Sequence, residues 1–546
     1  MSVADQKTDV LIVGGGLSGI VTALDLLNAG KKVLIVDRDT PANLGGLAKW
    51  AFGGMFFVNT PEQRRARIRD SVDLAWSDWL SYAEFLPEEK WGPKWANQYI
   101  HLATPHSYRW LRDRGFSFFP IVNWAERGLF KPGNSVPRFH MIWGTGWGLM
   151  EGLVRQLKNH PRAKNLQILC EHRVQHLLTD QGSVTGVDGI RETDESPFRI
   201  SAEQTVVATG GINGSIERVK ENWYPSWGSP PDTILNGAHP FAVGDLHDAT
   251  QQVNGHVVNL DKQWNYAAGI RHYAPRKPDH GLSLVPCKSA LWLNYAGERI
   301  GPMPLITAYD TRYLVERICQ EPRKYSWQIL NYTIAKKEFA ISGSEHNDLF
   351  REKKFVQFVW QTLVTGNTKL VDKIIDRCED LIVADSVGEL VRKMNALNGD
   401  EAVRLDNVQE AINAYDAQIE RGPRFFNDEQ LRRIAHARRY RGDRSRTCKF
   451  QKIDDPKARP LIAIRAFILS RKSLGGIQTD LNSRVLSRPD PQGQQYPIPG
   501  LFAVGEAAGF GGGGMHGHRS LEGTFLGGCI ISARVAAAAI QEKTLE

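Results

Sequence analysis

The chain has 546 residues, 42% apolar and 23% charged, with a formal net charge of +8, a length that exceeds one simple core and implies two or three domains. This composition, with a mean hydropathy of −0.35, argues against disorder and a membrane span, and no run of about 18 uncharged apolar residues occurs. Its six cysteines show no C-x-x-C or Cys/His ligand spacing, so no disulfide framework and no metal centre is expected.

No Lys/Arg block with interleaved aromatics forms a nucleic-acid footprint. The positive balance therefore reads as a basic surface, with an acidic partner or anionic lipid as the other reading. The first strand begins by Val10, which leaves no room for a signal peptide, and the expected location is cytoplasmic.

Residues 9–37 read as strand, glycine turn, helix and strand without a gap. Val10 to Val13 is a continuous apolar run, as in a strand buried on both faces. It ends at Gly14, Gly16 and Gly19 in the G-x-G-x-x-G spacing. Gly14 allows the tight turn, Gly16 lets the backbone approach a pyrophosphate, and Gly19 packs the following helix closely on the strand. Phosphates then meet unpaired N–H groups at the helix N-terminus. Asp37 closes the second strand 23 positions after Gly14, placed to accept from ribose hydroxyls. This is a dinucleotide cradle, and the stretch alone does not distinguish FAD from NAD.

Residues 43–58 form a loop with two Gly-Gly pairs, Gly45–Gly46 and Gly53–Gly54, which permit close approach of backbone to a flat ligand. Helical periodicity follows at 64–86 and 95–114, where aromatics read as helix packing. Residues 123–148 are turn-rich and suited to a pocket wall. Strands return from 166 and include Val174. The strand ending in Ala208, Thr209 and Gly210 sets a small-residue turn at the ligand edge of an open α/β sheet. A helix begins near Gly244, where Asp245 is either a plain cap or a cap that also faces ligand.

From residue 287 to 460 the composition turns to long charged helices at 351–365, 401–419 and 428–441. This reads as an inserted domain, 287–460, dividing a first domain into 1–286 and 461–546. The last part carries a short strand near Leu501, then Gly505 and Glu506 for a polyol, a glycine-rich loop with His516, and Gly523, Thr524 and Phe525 opening the final helix. That helix N-terminus suits developing negative charge.

The glycine cradle, the Gly-Gly loop, ATGG at 208–211, GD at 244–245, LNYAGERI at 293–300 and GLFAVGE at 500–506 together resemble the succinate dehydrogenase and fumarate reductase flavoprotein superfamily. The nearest likeness is to its 3-ketosteroid Δ1-dehydrogenase branch. The resemblance implies an α/β fold: a Rossmann-like FAD-binding domain of glutathione-reductase type with an inserted α+β cap. It implies FAD held by Gly14, Gly16, Leu17, Ser18, Gly19, Asp37, Arg38, Gly45, Gly46, Gly53, Gly54, Val174, Ala208, Thr209, Gly210, Asp245, Gly505, Glu506, Gly523, Thr524 and Phe525. Ala48 and Lys49 stand where respiratory relatives carry a covalently linked histidine, so FAD is expected to be non-covalent.

For the chemistry, the resemblance nominates Tyr309 as base, with hydride passing to flavin N5, and Arg312 beside it as the cation favouring phenolate. The C-terminal loop contributes His518, Arg519 and Ser520, with Ser520 near the position of a family tyrosine. Arg471, Lys472 and Ser473 precede Gly475–Gly476, where fumarate reductases carry a substrate-binding histidine. The expected reaction is dehydrogenation of a CH–CH bond next to the ketone of a steroid-like substrate. The alternatives are a fumarate-reductase-like enoate reductase, with Arg312 donating the proton, and a flavin-binding redox sensor without turnover. Only one dinucleotide fingerprint is present, so electrons are expected to leave to a separate carrier, a quinone or another.

Overall fold

The computed structural model describes residues 6–545. The first strand, Gln6–Val13, lies inside an eight-stranded sheet. Val10, Leu11, Ile12 and Val13 are buried, at 4% exposure or less, because a parallel strand is covered on both faces. It pairs in parallel with Val33–Val36 on one side and Pro197–Val207 on the other. Leu166–Leu169 extends the first side, and Pro497–Ala503 the second, also in parallel. The chain thus returns after nearly 300 residues to lay Leu501 beside Thr205. This is the expected α/β, Rossmann-like domain. Its first helix, Leu17–Asn28, and its last, Thr524–Ile540, share one core cluster with the sheet.

The second sheet also has eight strands, ordered Leu291–Leu293, Ser326–Asn331, Leu461–Ser473, Gln263–Arg271, Gly281–Val285 and Ala340–Ile341, with Leu381–Ala384 and Ile234–Asn236 added on the central strand. That central strand is 13 residues long. Its first half pairs with Ser326–Asn331 and its second half with Gln263–Arg271. The sheet therefore takes strands from both sides of residues 287–460, while that segment supplies its covering helices. The cause is continuity: the strand that enters the cap core at Leu461 runs unbroken to Ser473, which touches the first domain.

A helical lobe, residues 61–113, packs beside the first domain. The periodic run expected at 64–86 is two helices, Pro61–Arg65 and Val72–Ala83. Arg67 takes φ +59°, which ends the first, and the Ser71 hydroxyl accepts from Leu74 N at 3.1 Å to start the second. Arg138 ties the lobe down. Its fully buried guanidinium donates to Asp70 at 2.8 and 2.9 Å and to Asp78 at 2.5 Å. Phe139, the next residue, walls the cleft described below.

Candidate active site

The sheet's carboxyl edge opens into a cleft of about 1710 Å³, its open mouth included. At one end is the glycine turn. A Cβ on Gly19 would meet Gly14 O at 2.0 Å, and one on Gly14 would meet Ala208 O at 2.4 Å, with Gly14 at φ +112°. These two positions require glycine to close the turn. Gly16 differs: it lines the cleft, and a Cβ there would meet nothing within 4 Å. The space its missing side chain leaves, at the N-terminus of the first helix, is room for a pyrophosphate.

Asp37 follows in the cleft wall. Its carboxylate accepts from Gly15 N at 2.5 Å and Asp39 N at 2.7 Å, while burial holds its pKa above the usual carboxylate range. Beyond it Arg38 lies 4.7 Å over the Phe241 ring and pairs with Glu192 at 2.5 Å. Asp245 faces the cleft and is not the helix cap. Gly244 holds that position at φ +86°, and the Asp245 carboxylate accepts from Arg173 at 3.0 Å.

Leu17, Ser18, Gly46, Gly53, Gly54, Val174, Ala208, Thr209, Gly210, Glu506, Gly523 and Phe525 line the same cleft. Gly19, Gly45, Gly505 and Thr524 stand just behind it. Gly45 bridges to Gly16, and Gly505 packs so close to the first helix that a Cβ would meet Ser18 Oγ at 2.2 Å. Thr524 accepts or donates with His516 Nε2 at 2.8 Å and Ser520 Oγ at 3.0 Å. Ala48 presents only a methyl to the cleft. The Lys49 ammonium points away, to Ala42 O at 2.9 Å. The donor set, the open Gly16 and the buried carboxylates fit FAD along the whole cleft.

The far end is polar, and two of its residues, Tyr266 and Glu522, carry no mark in the sequence. Tyr266 and Glu522 line it with Arg471 and Lys472. The Tyr266 hydroxyl donates to Glu522 Oε1 at 2.8 Å, and Trp264 Nε1 donates to the same oxygen at 2.9 Å. Lys472 Nζ donates to Tyr266 Oη at 3.3 Å and sits 3.8 Å over the Phe525 ring. Burial brings the Lys472 ammonium down to about 8, against the pull of Glu522. Burial also pushes the Tyr266 phenol well above its ordinary value, and Glu522 adds to this. Glu506, whose carboxylate accepts from Ser473 N at 3.0 Å, is raised by burial to about 7.

The residues nominated for chemistry fall elsewhere. Tyr309 does not line the cleft; it is 2% exposed and its hydroxyl donates to Arg433 O at 2.8 Å, with His436 Nδ1 at 3.1 Å. Arg312 stacks 4.7 Å over Tyr224 and donates to His518 O at 3.0 Å. Arg519 pairs with Asp310 and, at 3.2 Å, with Glu84. His518 packs on Tyr224 at 5.1 Å, its pKa brought down to about 3 by burial and Arg312. None of these groups, nor Ser520, lines the cleft; His518, Arg519 and Ser520 precede in the same loop the residues Glu522, Gly523 and Phe525 that do.

One other ligand-like group exists among the described residues. His272, Glu345 and His346 offer atoms within 4.8 Å of one another. Ala274 N donates to His272 Nδ1 at 3.0 Å, so the proton sits on Nε2, facing Glu345 at 3.4 Å. Arg276 takes the other carboxylate oxygen at 2.5 Å. The arrangement is an ion-pair cluster.

Comparison with known proteins agrees with this geometry. A family model described as FAD binding domain matches residues 9–526. A "KsdD-like steroid dehydrogenase" of Mycobacterium tuberculosis is 42% identical over 97% of this chain and 94% of its own length. One of Mycolicibacterium smegmatis is 43% identical over 95% and 96%. Among solved structures, a 3-ketosteroid Δ1-dehydrogenase from Sterolibacterium denitrificans superposes with TM-score 0.68 at 15% identity, covering 98% of this chain and all of that one, a likeness of fold.

Proposed function

Because the chain belongs to this FAD-binding family, we propose that it is a FAD-dependent dehydrogenase acting on a CH–CH bond beside the ketone of a steroid-like ring system. The observation that carries the reading is the far wall of the cleft, where the Tyr266–Glu522 pair stands with Arg471 and Lys472 beside the Phe525 ring. Glu522 and Glu506 stand beside both cations and offset them, so an apolar ketone matches that wall better than a dicarboxylate. The names of the M. tuberculosis and M. smegmatis relatives support the substrate class.

FAD supplies the two-electron acceptor when bound in the cleft. Lys472 Nζ is the cation available to hold the ketone oxygen, where negative charge grows as the adjacent C–H loses its proton. Tyr266 Oη takes that proton while passing its own to Glu522 Oε1 at 2.8 Å. The phenol works as a relay, since its raised pKa forbids a standing phenolate. Trp264 holds the receiving carboxylate in place. Tyr309 as base and Arg312 as its partner are the rival pair, and substitution separates the two. Electrons leave to a separate carrier, a quinone or another, in the cytoplasm.

The test is anaerobic mixing of the oxidised holoenzyme with 3-ketosteroids, followed by flavin absorbance. Bleaching is the expected result. No bleaching with any of them, together with reoxidation of the reduced enzyme by fumarate, would transfer the assignment to an enoate reductase. Silence in both arms leaves a flavin-binding protein without turnover.

A further inference from the structure

An apolar stripe faces solvent on the cap, where the helix Phe355–Trp360 continues into the wider turn Gln361–Thr365. Val356, Trp360, Leu363 and Val364 stand at i, i+4, i+7 and i+8, which is one helical face. A surface helix turns such a face inward. Here it points out, with exposures of 80, 61, 62 and 60%. Phe355 beside it is 48% exposed. Single exposed apolar residues are ordinary, but five large ones on one short segment mark a contact surface.

The surrounding charge identifies what covers it. Lys353 and Lys354 precede the stripe, and Lys369 and Lys373 follow it. Lys337 Nζ donates to Thr362 O at 3.3 Å, and Lys336 O accepts from Asn367 N at 2.6 Å, so these two also adjoin it. Lys354 is paired with Glu352 at 2.6 Å, Lys373 Nζ lies 5.1 Å over the Tyr273 ring, and Asp372 between Lys369 and Lys373 accepts from Tyr332 Oη at 2.8 Å. Protein interfaces are depleted in lysine, whereas a tryptophan-bearing apolar face collared by lysines suits a helix lying flat in an anionic lipid surface.

The inner side of the same segment leads to the cleft. Phe358 packs on Phe350 at 5.4 Å, and Phe350 on Phe52 at 5.2 Å. Phe52 lines the cleft. We propose that residues 355–365 dock the protein on an anionic membrane surface, with the aromatic flank of the cleft turned to the bilayer so that an apolar ring ketone passes from lipid to the site. The delivery of that ketone rests on the function proposed above, whereas the docking does not.

The experiment floats the holoenzyme with vesicles of equal parts phosphatidylcholine and phosphatidylserine, beside vesicles of phosphatidylcholine alone, at low and high salt. The wild type is expected to float with the anionic vesicles, less at high salt. The double substitution Trp360→Ser and Leu363→Ser lowers the bound fraction about tenfold or more, from the apolar area it withdraws, without loss of bound FAD or of the circular dichroism spectrum. Val356→Ser alone keeps the test readable if the double variant misfolds, and it weakens flotation in the same direction. The proposal is overturned if the wild type does not float, or if wild type and variants float equally. It is also overturned if sedimentation reveals a dimer that these substitutions dissociate while vesicles bind neither form, because a second copy then covers the stripe. Flotation without ketosteroid turnover removes the functional reading alone, and turnover without flotation removes the docking alone.

Discussion

The Tyr266 hydroxyl donates to Glu522 Oε1 at 2.8 Å, joining a strand of the cap sheet to the loop that opens the last helix of the cofactor domain. The two residues are 256 positions apart. Their bond is one point at which both halves of the protein meet at the far end of the cleft.

Replacing Tyr266 by Phe removes the proton relay and leaves the ring packing. A loss of about 100-fold or more in kcat is expected, with FAD content unchanged. Tyr309→Phe, made beside it, is expected to change stability more than rate, since that hydroxyl is spent on the Arg433 carbonyl. The reverse ordering of the two rate losses would return the base role to Tyr309.

In the proposed mechanism Lys472 acts as a cation, so activity is expected below its folded pKa of about 8 and is expected to be lost as pH rises through it. The groups that set that value are Glu522, Arg471, Glu506 and Cys529, after burial itself. The pH profile of kcat/KM is expected to show an alkaline limb near pH 8. Lys472→Met should lower kcat/KM about 100-fold and abolish the limb, whereas Lys472→Arg should move the limb upward out of range. An unchanged limb in the Arg variant assigns it to another group.

Two glycines in one turn separate folding from cofactor binding. Gly19→Ala puts a Cβ at 2.0 Å from Gly14 O and should destabilise the apoprotein by about 2 kcal/mol or more, read by thermal denaturation. Gly16→Ala meets nothing within 4 Å in the protein, so the apoprotein melts unchanged while FAD binding weakens about tenfold or more. Equal FAD affinity in Gly16→Ala would show that the pyrophosphate does not pass there.

Arg138→Met strands two buried carboxylates, Asp70 and Asp78. A loss of about 3–5 kcal/mol is expected by denaturant titration. The triple variant with both aspartates replaced by Asn should recover a large part of it, because the cost lies in the unpaired charge.

The cradle was readable because its causes are local: the turn from Gly14 to Gly19 and the acid at Asp37 lie within one strand–helix–strand unit. The return of Pro497–Ala503 to the first sheet was readable for a related reason, since a short apolar strand before a glycine loop repeats the pattern of the ligand edge. Tyr266 and Glu522 carried no such mark. One sits among aromatics in a nine-residue strand with two register shifts, and the other between Leu521 and Gly523, so only the paired fold brings them together. Tyr309 was nominated by its distance from Gly297–Arg299 along the chain, and chain distance does not fix direction; the segment turns its hydroxyl into the helix Glu429–Arg439. The run at 351–365 reads in sequence as a long charged helix, and only the observed burial shows that its apolar residues face outward.

The strand Leu461–Ser473 is spine to the cap sheet over its length and carries Lys472 and Ser473 at its end, with Ser473 N on Glu506. A continuous strand transmits displacement as a rod does. Lys472 and Ser473 therefore take their positions from the register of the cap sheet, although the contact Ser473 makes is to Glu506 at the edge of the other sheet.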